Sequence, residues 1–455
     1  MSAVTWSQAL IDKYNINGPR YTSYPTALAL RDDFPVNQVA ATLANTDKAL
    51  CLYIHLPFCH KLCYYCGCNK VITRHQHKAD IYLDALAKEM ARYQQLLGAR
   101  PVEQVHLGGG TPTFLTETQL SRLMTLINSN FSVVANAELS IEIDPRSCSD
   151  DKLRHLRKLG FNRVSYGIQD FDEKVQIAIN RVQDTALIKH QLELSRELGF
   201  GSINLDLIYG LPYQRPETFL SSIEQVIELA PDRISLFSYA HLPQRFAGQR
   251  KIPDASLPDA PLKLELMQLG ITRFTAAGYQ FIGMDHFAKA EDELAIAQQQ
   301  GRLQRNFQGY TTAGQDALLG LGASSISQID GVLWQNAKDL PDYYQAINRG
   351  ELPVVKGFAL SADDRLRAAL ISQLICHFEL DIQAFSEQWE LAGFWDYFAA
   401  AQQKLAPFAE DGLVEINTKR IQVTALGRLW VRSICACFDA YLSDQATAPR
   451  YSKVV

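Results

Sequence analysis

The chain has 455 residues, long for one average domain and suited to a large catalytic domain with an appendage. Apolar residues make up 47% and charged residues 20%, an ordinary globular balance that argues against long disorder. A net charge of −5 offers no basic surplus for tracking phosphates, and no run of ~18 apolar residues could span a bilayer, so neither nucleic acid nor a membrane is expected as a partner.

Residues 1–48 are expected to form an N-terminal arm. Met1 to Tyr14 lacks the basic start and apolar stretch of a secretion signal, which points to the cytoplasm. The run Gly18-Pro-Arg-Tyr-Thr-Ser-Tyr-Pro-Thr-Ala27 has two prolines and several hydrogen-bonding side chains, suiting an ordered arm more than a helix. From residue 49 onward, β-like runs alternate with amphipathic helical patterns. The runs are Leu50–Leu56, Val102–Leu107, Leu139–Ile143, Arg163–Ile168, Ile203–Tyr209 and Arg233–Tyr239. The helical patterns include Ala79–Leu97, Glu117–Asn130, Ala186–Leu198 and Glu217–Leu229, with Thr116 and Ser149 as N-caps and Gly98 and Gly199 as stops. Such alternation predicts an α/β fold with parallel strands and right-handed crossovers. Six units fall short of the eight of a closed barrel, so a partial (β/α)6 TIM-like barrel is expected, with ligands at the carboxyl ends of the strands.

Residues 281–350, punctuated by Gly283, Gly309, Gly314, Gly320 and Gly322, read as richer in loops, and a catalytic domain is expected to span 49–355. Residues 356–455 read as a mostly helical, winged-helix-like domain: two helical stretches, a hairpin through Gly412-Leu-Val-Glu-Ile and Arg420-Ile-Gln-Val-Thr, then a helix from Ala425. With an acidic balance, helical cover over the barrel mouth is the expected role rather than DNA binding.

Of nine cysteines, four fall between Cys59 and Cys68, and without a secretion signal this crowding points to metal or redox chemistry. The others (Cys51, Cys148, Cys376, Cys435, Cys437) sit mostly in apolar patterns and read as small buried hydrophobes. The first strand runs straight into Pro57-Phe-Cys-His-Lys-Leu-Cys-Tyr-Tyr-Cys-Gly-Cys68. Cys59, Cys63 and Cys66, spaced Cys-x3-Cys-x2-Cys, could hold three irons of one cubane and leave the fourth open. A structural zinc site completed by His60 or Cys68 is the alternative, although no second Cys-x2-Cys pair follows. The second strand ends in Gly108, Gly109 and Gly110, then Thr111, where absent side chains would let backbone approach a ligand. Glu142, Gln169 and Asp206 are polar residues at the ends of otherwise apolar strands, and together they read as a nucleoside site.

The three-cysteine loop after a first strand resembles the radical S-adenosylmethionine superfamily. Read with PRYTSYPTA (Pro19–Ala27), FCHKLCYYCGCNK (Phe58–Lys70), GGGTPT (Gly108–Thr113), IEIDPR (Ile141–Arg146), GIQDF (Gly167–Phe171), NLDLIYGLP (Asn204–Pro212), GMDHFA (Gly283–Ala288), RNFQGYTT (Arg305–Thr312) and DGLVEI (Asp411–Ile416), nearly the whole chain resembles the family of bacterial oxygen-independent coproporphyrinogen III oxidases. The resemblance implies a 4Fe–4S cluster on Cys59, Cys63 and Cys66, with Cys68 nearby but not ligating, and two molecules of S-adenosylmethionine. Tyr53, Gly109, Glu142 and Ile326 match positions around the first. Tyr65, Gly110, Thr111, Gln169, Arg181, Asp206 and Ala240 match positions around the second, and Gln308 borders the region. Position 65 is Tyr where the family pattern leads one to expect Phe. The implied chemistry is reductive cleavage of S-adenosylmethionine to a 5′-deoxyadenosyl radical that removes a hydrogen atom from a substrate carbon. Two propionates of coproporphyrinogen III become vinyls, in haem biosynthesis, with electrons from an unidentified low-potential donor and the enzyme as a monomer. A haem chaperone of the same superfamily is the alternative; the Pro19–Ala27 arm and Cys68 favour the oxidase. Arg20 is expected either to pair with a substrate propionate or to anchor the arm to the barrel.

Overall fold

The computed structural model describes residues 8–14, 18–314 and 316–442. Six parallel strands stand side by side in chain order: β1 (Leu50–Leu56), β2 (Pro101–Gly109), β3 (Ser132–Ile143), β4 (Arg163–Gln169), β5 (Ser202–Tyr209) and β6 (Arg233–Ser238). Helices connect them: α1 (His77–Leu97), α2 (Glu117–Asn130), α3 (Asp150–Lys158), α4 (Thr185–Glu197) and α5 (Pro216–Leu229). Local chemistry sets their ends. Thr116 and Gln119 form a reciprocal capping box at α2, Ser149 caps α3, and Gly98 ends α1 at φ +64°.

Strand phase separates two environments. Leu52, Ile54, Val105, Leu107, Ile141, Ile143, Val164, Leu205 and Ile234 are all buried on the helix-covered face. Each such side chain contributes roughly 1.5–3 kcal/mol by leaving water. The opposite phase lines the barrel interior and is polar: Gln104, His106, Ser140, Ser165, Asn204 and Ser235 face a cavity of about 190 Å³. A closed (β/α)8 barrel packs its interior with branched apolar residues. Here the interior is a polar lumen.

The sheet extends well beyond the six units. Strands β7 (Gln280–Gly283) and β8 (His286–Ala288) add antiparallel partners beside β6. On the other flank β9 (Ala317–Leu321) pairs parallel with β1, and β10 (Ile326–Ile329), β11 (Val332–Asn336) and β12 (Val354–Ala359) continue as an antiparallel meander. The result is a twelve-stranded sheet, ordered β12-β11-β10-β9-β1-β2-β3-β4-β5-β6-β8-β7, that remains open at both ends. Residues 281–350, expected to be loop-rich, thus supply strands on both flanks. A division at 355/356 cuts β12, which belongs to this sheet.

The C-terminal region begins with α6 (Ala362–His377) and holds a three-stranded sheet in which Arg420–Val423 lies between Glu379–Asp381 and Val414–Ile416. The hairpin lies where the sequence places it. The expected cover over the mouth is not seen among the described residues: those lining the three barrel cavities all come from position 326 or earlier. The C-terminal region packs instead on the 280–311 segment, where Tyr310 donates to the Ile375 carbonyl, and on the N-terminal arm. Arg432 donates to the carbonyls of Pro19 (2.9 Å) and Gly18, and Tyr21 donates to Asp439 at 3.0 Å. Arg20 is paired with Asp285 at 2.6 Å. Arg20 is thus tied to the barrel edge, as the anchoring alternative expects. Among the described residues no helix is long and apolar enough to cross a membrane.

Candidate active site

The site grows from the carboxyl ends of β1 to β5. Beyond β1 the chain turns at Pro57, and Phe58–Cys59 pairs parallel with Val71–Ile72, closing the cysteine loop into a compact flap. Cys59, Cys63 and Cys66 line one cavity of about 260 Å³ with Gly109, Gly110 and Thr111. Cys68 lines it too, but is exposed, while Cys59 and Cys63 are buried. The scattered cysteines, Cys51, Cys148, Cys376, Cys435 and Cys437, are all buried and free.

The glycine turn is crowded by the protein itself. Gly109 has φ +111°, and a Cβ there would lie 2.6 Å from the His55 ring; a Cβ on Gly110 would lie 2.7 Å from the Pro57 carbonyl carbon. Their missing side chains let the end of β2 lie against the end of β1, which brings the glycine amides beside the cysteine loop.

Polar donors surround the sulfurs. Thr111 Oγ1 donates to Cys59 Sγ at 3.4 Å, and Arg146 Nη2 and Arg181 Nη1 each donate to Cys63 Sγ at 3.5 Å. Both arginines also bind Asp144, at 2.7 and 3.2 Å. Lys70 Nζ reaches the carbonyls of Cys66 and Cys68 at 3.0 and 3.3 Å. Among the described residues, no three His, Cys, Asp or Glu side chains gather closely enough to hold a single metal ion. Three thiols around one cavity, with cations directed at sulfur, fit a multinuclear, thiolate-ligated group.

The remaining residues divide between two adjoining cavities. Tyr65, Gly110, Thr111, Gln169, Arg181 and Asp206 line the 260 Å³ cavity with the cysteines. Tyr53, Gly109, Glu142, Ile326 and Gln308 line a second, of about 360 Å³. Gly109, Glu142 and Cys68 border both. Ala240 lines neither. It lies just past β6, where its carbonyl accepts from Gln249 Nε2, which also donates to the Tyr65 carbonyl.

Glu142 accepts from the Gly109 amide at 3.1 Å and lies 3.4 Å from His106 Nε2. Its side chain keeps 43% of its surface open to the cavities. Its depth in the mouth raises the pKa, but the His106 ring and the Gly109 amide outweigh this and hold the carboxyl below its ordinary range. Asp206 moves the other way. Burial, with the Glu142 charge adding to it, pushes its pKa up to about 6 despite hydrogen bonds from Asn204 (2.8 Å) and Ser165 (3.4 Å).

Several residues here escaped the sequence reading. His55 lies between the Asn69 carbonyl (3.0 Å from Nε2) and the Tyr53 hydroxyl (3.1 Å from Nδ1). A carbonyl only accepts, so Nε2 carries the proton and Nδ1 accepts from Tyr53; burial lowers the ring's pKa and keeps it neutral. His55 and His106 share the inward phase of Tyr53 and Gln104, a signal available from period-two alternation. Asp144 and Arg146 stand within IEIDPR but carry no periodic signal of their own.

The Radical SAM superfamily pattern matches residues 53–226, and that of the HemN C-terminal domain matches 360–430. The oxygen-independent coproporphyrinogen III oxidase of Escherichia coli is 53% identical over 453 residues, covering 99% of each chain. The chain belongs to the oxygen-independent coproporphyrinogen III oxidase family. Another member of this family, from Pseudomonas aeruginosa, is 46% identical over 462 residues and covers all of both chains. The structure of the Escherichia coli coproporphyrinogen III oxidase, a radical S-adenosylmethionine enzyme, superposes with a TM-score of 0.93 at 52% identity, covering 97% of this chain and 100% of that one. The cofactors of this family are a 4Fe–4S cluster and S-adenosylmethionine, and the thiols and sulfur-directed donors described above fit such a cluster.

Proposed function

We propose that this chain carries out the anaerobic oxidative decarboxylation of two propionates of coproporphyrinogen III to vinyls, giving protoporphyrinogen IX in haem biosynthesis. The observation that carries the reading is the meeting of two cavities at Gly109 and Glu142, one of them lined by Cys59, Cys63 and Cys66. In this reading those three thiols hold the cluster, and Cys68 does not. The cavity of Tyr53, Gly109, Glu142 and Ile326 takes one S-adenosylmethionine. Tyr65, Gly110, Thr111, Gln169, Arg181 and Asp206, with Ala240 at the rim, take a second.

A 4Fe–4S cluster held by Cys59, Cys63 and Cys66 would supply one-electron reducing chemistry to S-adenosylmethionine bound beside it, and with it the means of removing hydrogen from the propionate β-carbon. The chain's own residues bind and orient. Arg146 and Arg181 offset thiolate charge at Cys63, and the Gly109 amide holds Glu142 where it can accept from a ligand amine or hydroxyl. Asp206, oriented by hydrogen bonds from Asn204 and Ser165, presents a carboxyl to the cysteine cavity that can accept from a ligand hydroxyl. Tyr65 keeps the aromatic face of the expected Phe.

The catalytic unit spans 49–355 together with the rest of β12, and the C-terminal unit follows it. The enzyme works as a cytoplasmic monomer supplied by a low-potential electron donor. Anaerobic turnover with coproporphyrinogen III, S-adenosylmethionine and dithionite, followed by mass, tests the function. Loss of two CO2 and four hydrogens per porphyrinogen is expected; unchanged substrate under those conditions contradicts it.

A further inference from the structure

The cysteine loop has a second face. Tyr65 lines the cysteine-bearing cavity, but Tyr64 lines a separate groove of about 540 Å³ on the outside of the loop. The loop is tied there by two hydrogen bonds: the Tyr64 amide donates to the Ile179 carbonyl at 2.9 Å, and Asn180 Nδ2 donates to the Leu62 carbonyl at 2.7 Å. The groove therefore shares a backbone with the loop that carries Cys63 and Cys66.

Its surface is apolar at the centre and cationic at the rim. Ile177 is 59% and Tyr213 40% exposed, unusual values for large apolar side chains in one place. Lys174 Nζ lies 4.5 Å from the Tyr213 ring centroid, and Lys251 Nζ lies 5.0 Å from that of Tyr64. These contacts hold both ammonium groups over aromatic faces rather than leaving them to swing freely.

The charge at the groove leans cationic. Lys174 and Lys251 stand on the groove itself, and residues 242–252 beside it carry Arg245, Arg250 and Lys251 and no Asp or Glu, whereas Lys61 and Lys70 of the cysteine loop line the inner cavity. The 242–252 segment is fixed to the cysteine loop by Gln249, which donates to the Tyr65 carbonyl at 2.9 Å. Against these cations stand Glu173 on the groove and Asp254, which is paired with His241 at 3.0 Å. A cationic rim on a chain of net charge −5 selects an anionic partner. Exposed Tyr and Ile at its centre match the core of a small protein interface better than a site for a free anion.

We propose that this groove docks a small acidic one-electron carrier protein, which reduces the cluster from the outer face of the cysteine loop. The inference rests on the function proposed above, whose reaction draws electrons from outside the protein. The step is a bare electron transfer: the carrier is oxidised by one electron and the cluster reduced by one, with no bond made or broken. Electron-transfer encounters fall at the small end of protein interfaces, so a groove with a charged rim is sufficient.

Flavodoxin, acidic and flavin-bearing, serves as the probe. Its affinity for the cluster-loaded protein, titrated at low ionic strength, should fall at least tenfold in Lys174→Glu/Lys251→Glu, and likewise in Ile177→Asp. The wild-type affinity should fall steeply with salt. Formation of 5′-deoxyadenosine driven by dithionite, which needs no docking, should be unchanged in all variants. Unaltered flavodoxin affinity in the variants, no saturable binding by the wild type, or an equal loss of the dithionite-driven reaction would each overturn the proposal. Failure of the wild type to decarboxylate coproporphyrinogen with dithionite would instead strike the functional reading, and the binding titration would still judge the groove.

Discussion

Cys66 and Cys68 are separated by a single glycine, yet the loop treats them differently. Cys66 caps a turn in which its amide donates to the Cys63 carbonyl at 3.2 Å, whereas Cys68 is exposed and borders both cavities. Serine at position 59, 63 or 66 should therefore abolish bound iron and its visible absorbance, and Cys68→Ser should retain both. An iron-free Cys68→Ser beside a brown Cys66→Ser would reverse the assignment. Asp206 offers a second test, because it lines only one of the two cavities proposed for S-adenosylmethionine. Losing a carboxylate that accepts from a ligand hydroxyl costs about 1.5–3 kcal/mol. Equilibrium binding to Asp206→Ala should thus approach one equivalent with iron content unchanged; two undiminished sites would remove the two-cavity reading.

At the scale of elements, the Ile326 cavity is supported by a buried network behind it. Glu89, on α1, accepts from the Gly322 amide (2.9 Å), Asn336 (2.7 Å) and Tyr343 (2.6 Å), and so ties a helix to the turn between β9 and β10. Burial, only partly offset by these donors, pushes its pKa up to about 7 from an ordinary 4.5. The folded form thus holds this proton more tightly than the unfolded chain. The stability it contributes is complete below pH 4.5 and is lost as pH rises through about 7, an interval worth about 3 kcal/mol. Denaturant unfolding should show wild-type stability falling from pH 5 to 8 and a flatter profile in Glu89→Gln. Parallel profiles would rule out Glu89 as the source.

Elements with a clear period were legible from sequence, and those without one were not. Five of the six barrel strands and the helical patterns were placed to within a few residues, because apolar positions alternate along strands and recur along helices, but β3 begins at Ser132, seven residues before the expected Leu139. β9 was missed. Ala317–Leu321 is buried at every position, so it shows no alternation, and its glycine read as loop punctuation. That glycine serves close packing: a Cβ on Gly320 would lie 2.6 Å from the Ile326 carbonyl oxygen. At the site, strand phase pointed Glu142, Gln169 and Asp206 to the mouth, and the family resemblance divided them between the two expected ligands. Arg181 and Ile326 came only from family resemblance, since neither sits in a periodic pattern that marks it out. Asp144 and Arg146 were passed over because their task, holding charge beside Cys63, appears only when distant turns meet.

Across the whole molecule, the N-terminal arm is a clamp between the barrel edge and the C-terminal region. Arg20 reaches Asp285, beside β8, while the neighbouring carbonyls of Gly18 and Pro19 accept from Arg432. Removing the Arg20 guanidinium leaves Asp285, 8% exposed, without its ion-pair partner, a loss of about 1.5–3 kcal/mol. Arg20→Ala should lower denaturant stability by that amount while iron content and reductive cleavage of S-adenosylmethionine persist. Unchanged stability with a collapsed kcat/KM for coproporphyrinogen would return Arg20 to the substrate.

The central claim is that this chain removes hydrogen from the propionate β-carbons of coproporphyrinogen III by way of S-adenosylmethionine bound beside Cys59, Cys63 and Cys66. Anaerobic turnover of substrate deuterated at those β-carbons, with the deuterium content of 5′-deoxyadenosine read by mass, tests it most directly. The account predicts one deuterium in 5′-deoxyadenosine for each vinyl formed by the wild type, and none from Cys63→Ser. Vinyl formation with unlabelled 5′-deoxyadenosine, or with the deuterium released to solvent, would contradict it.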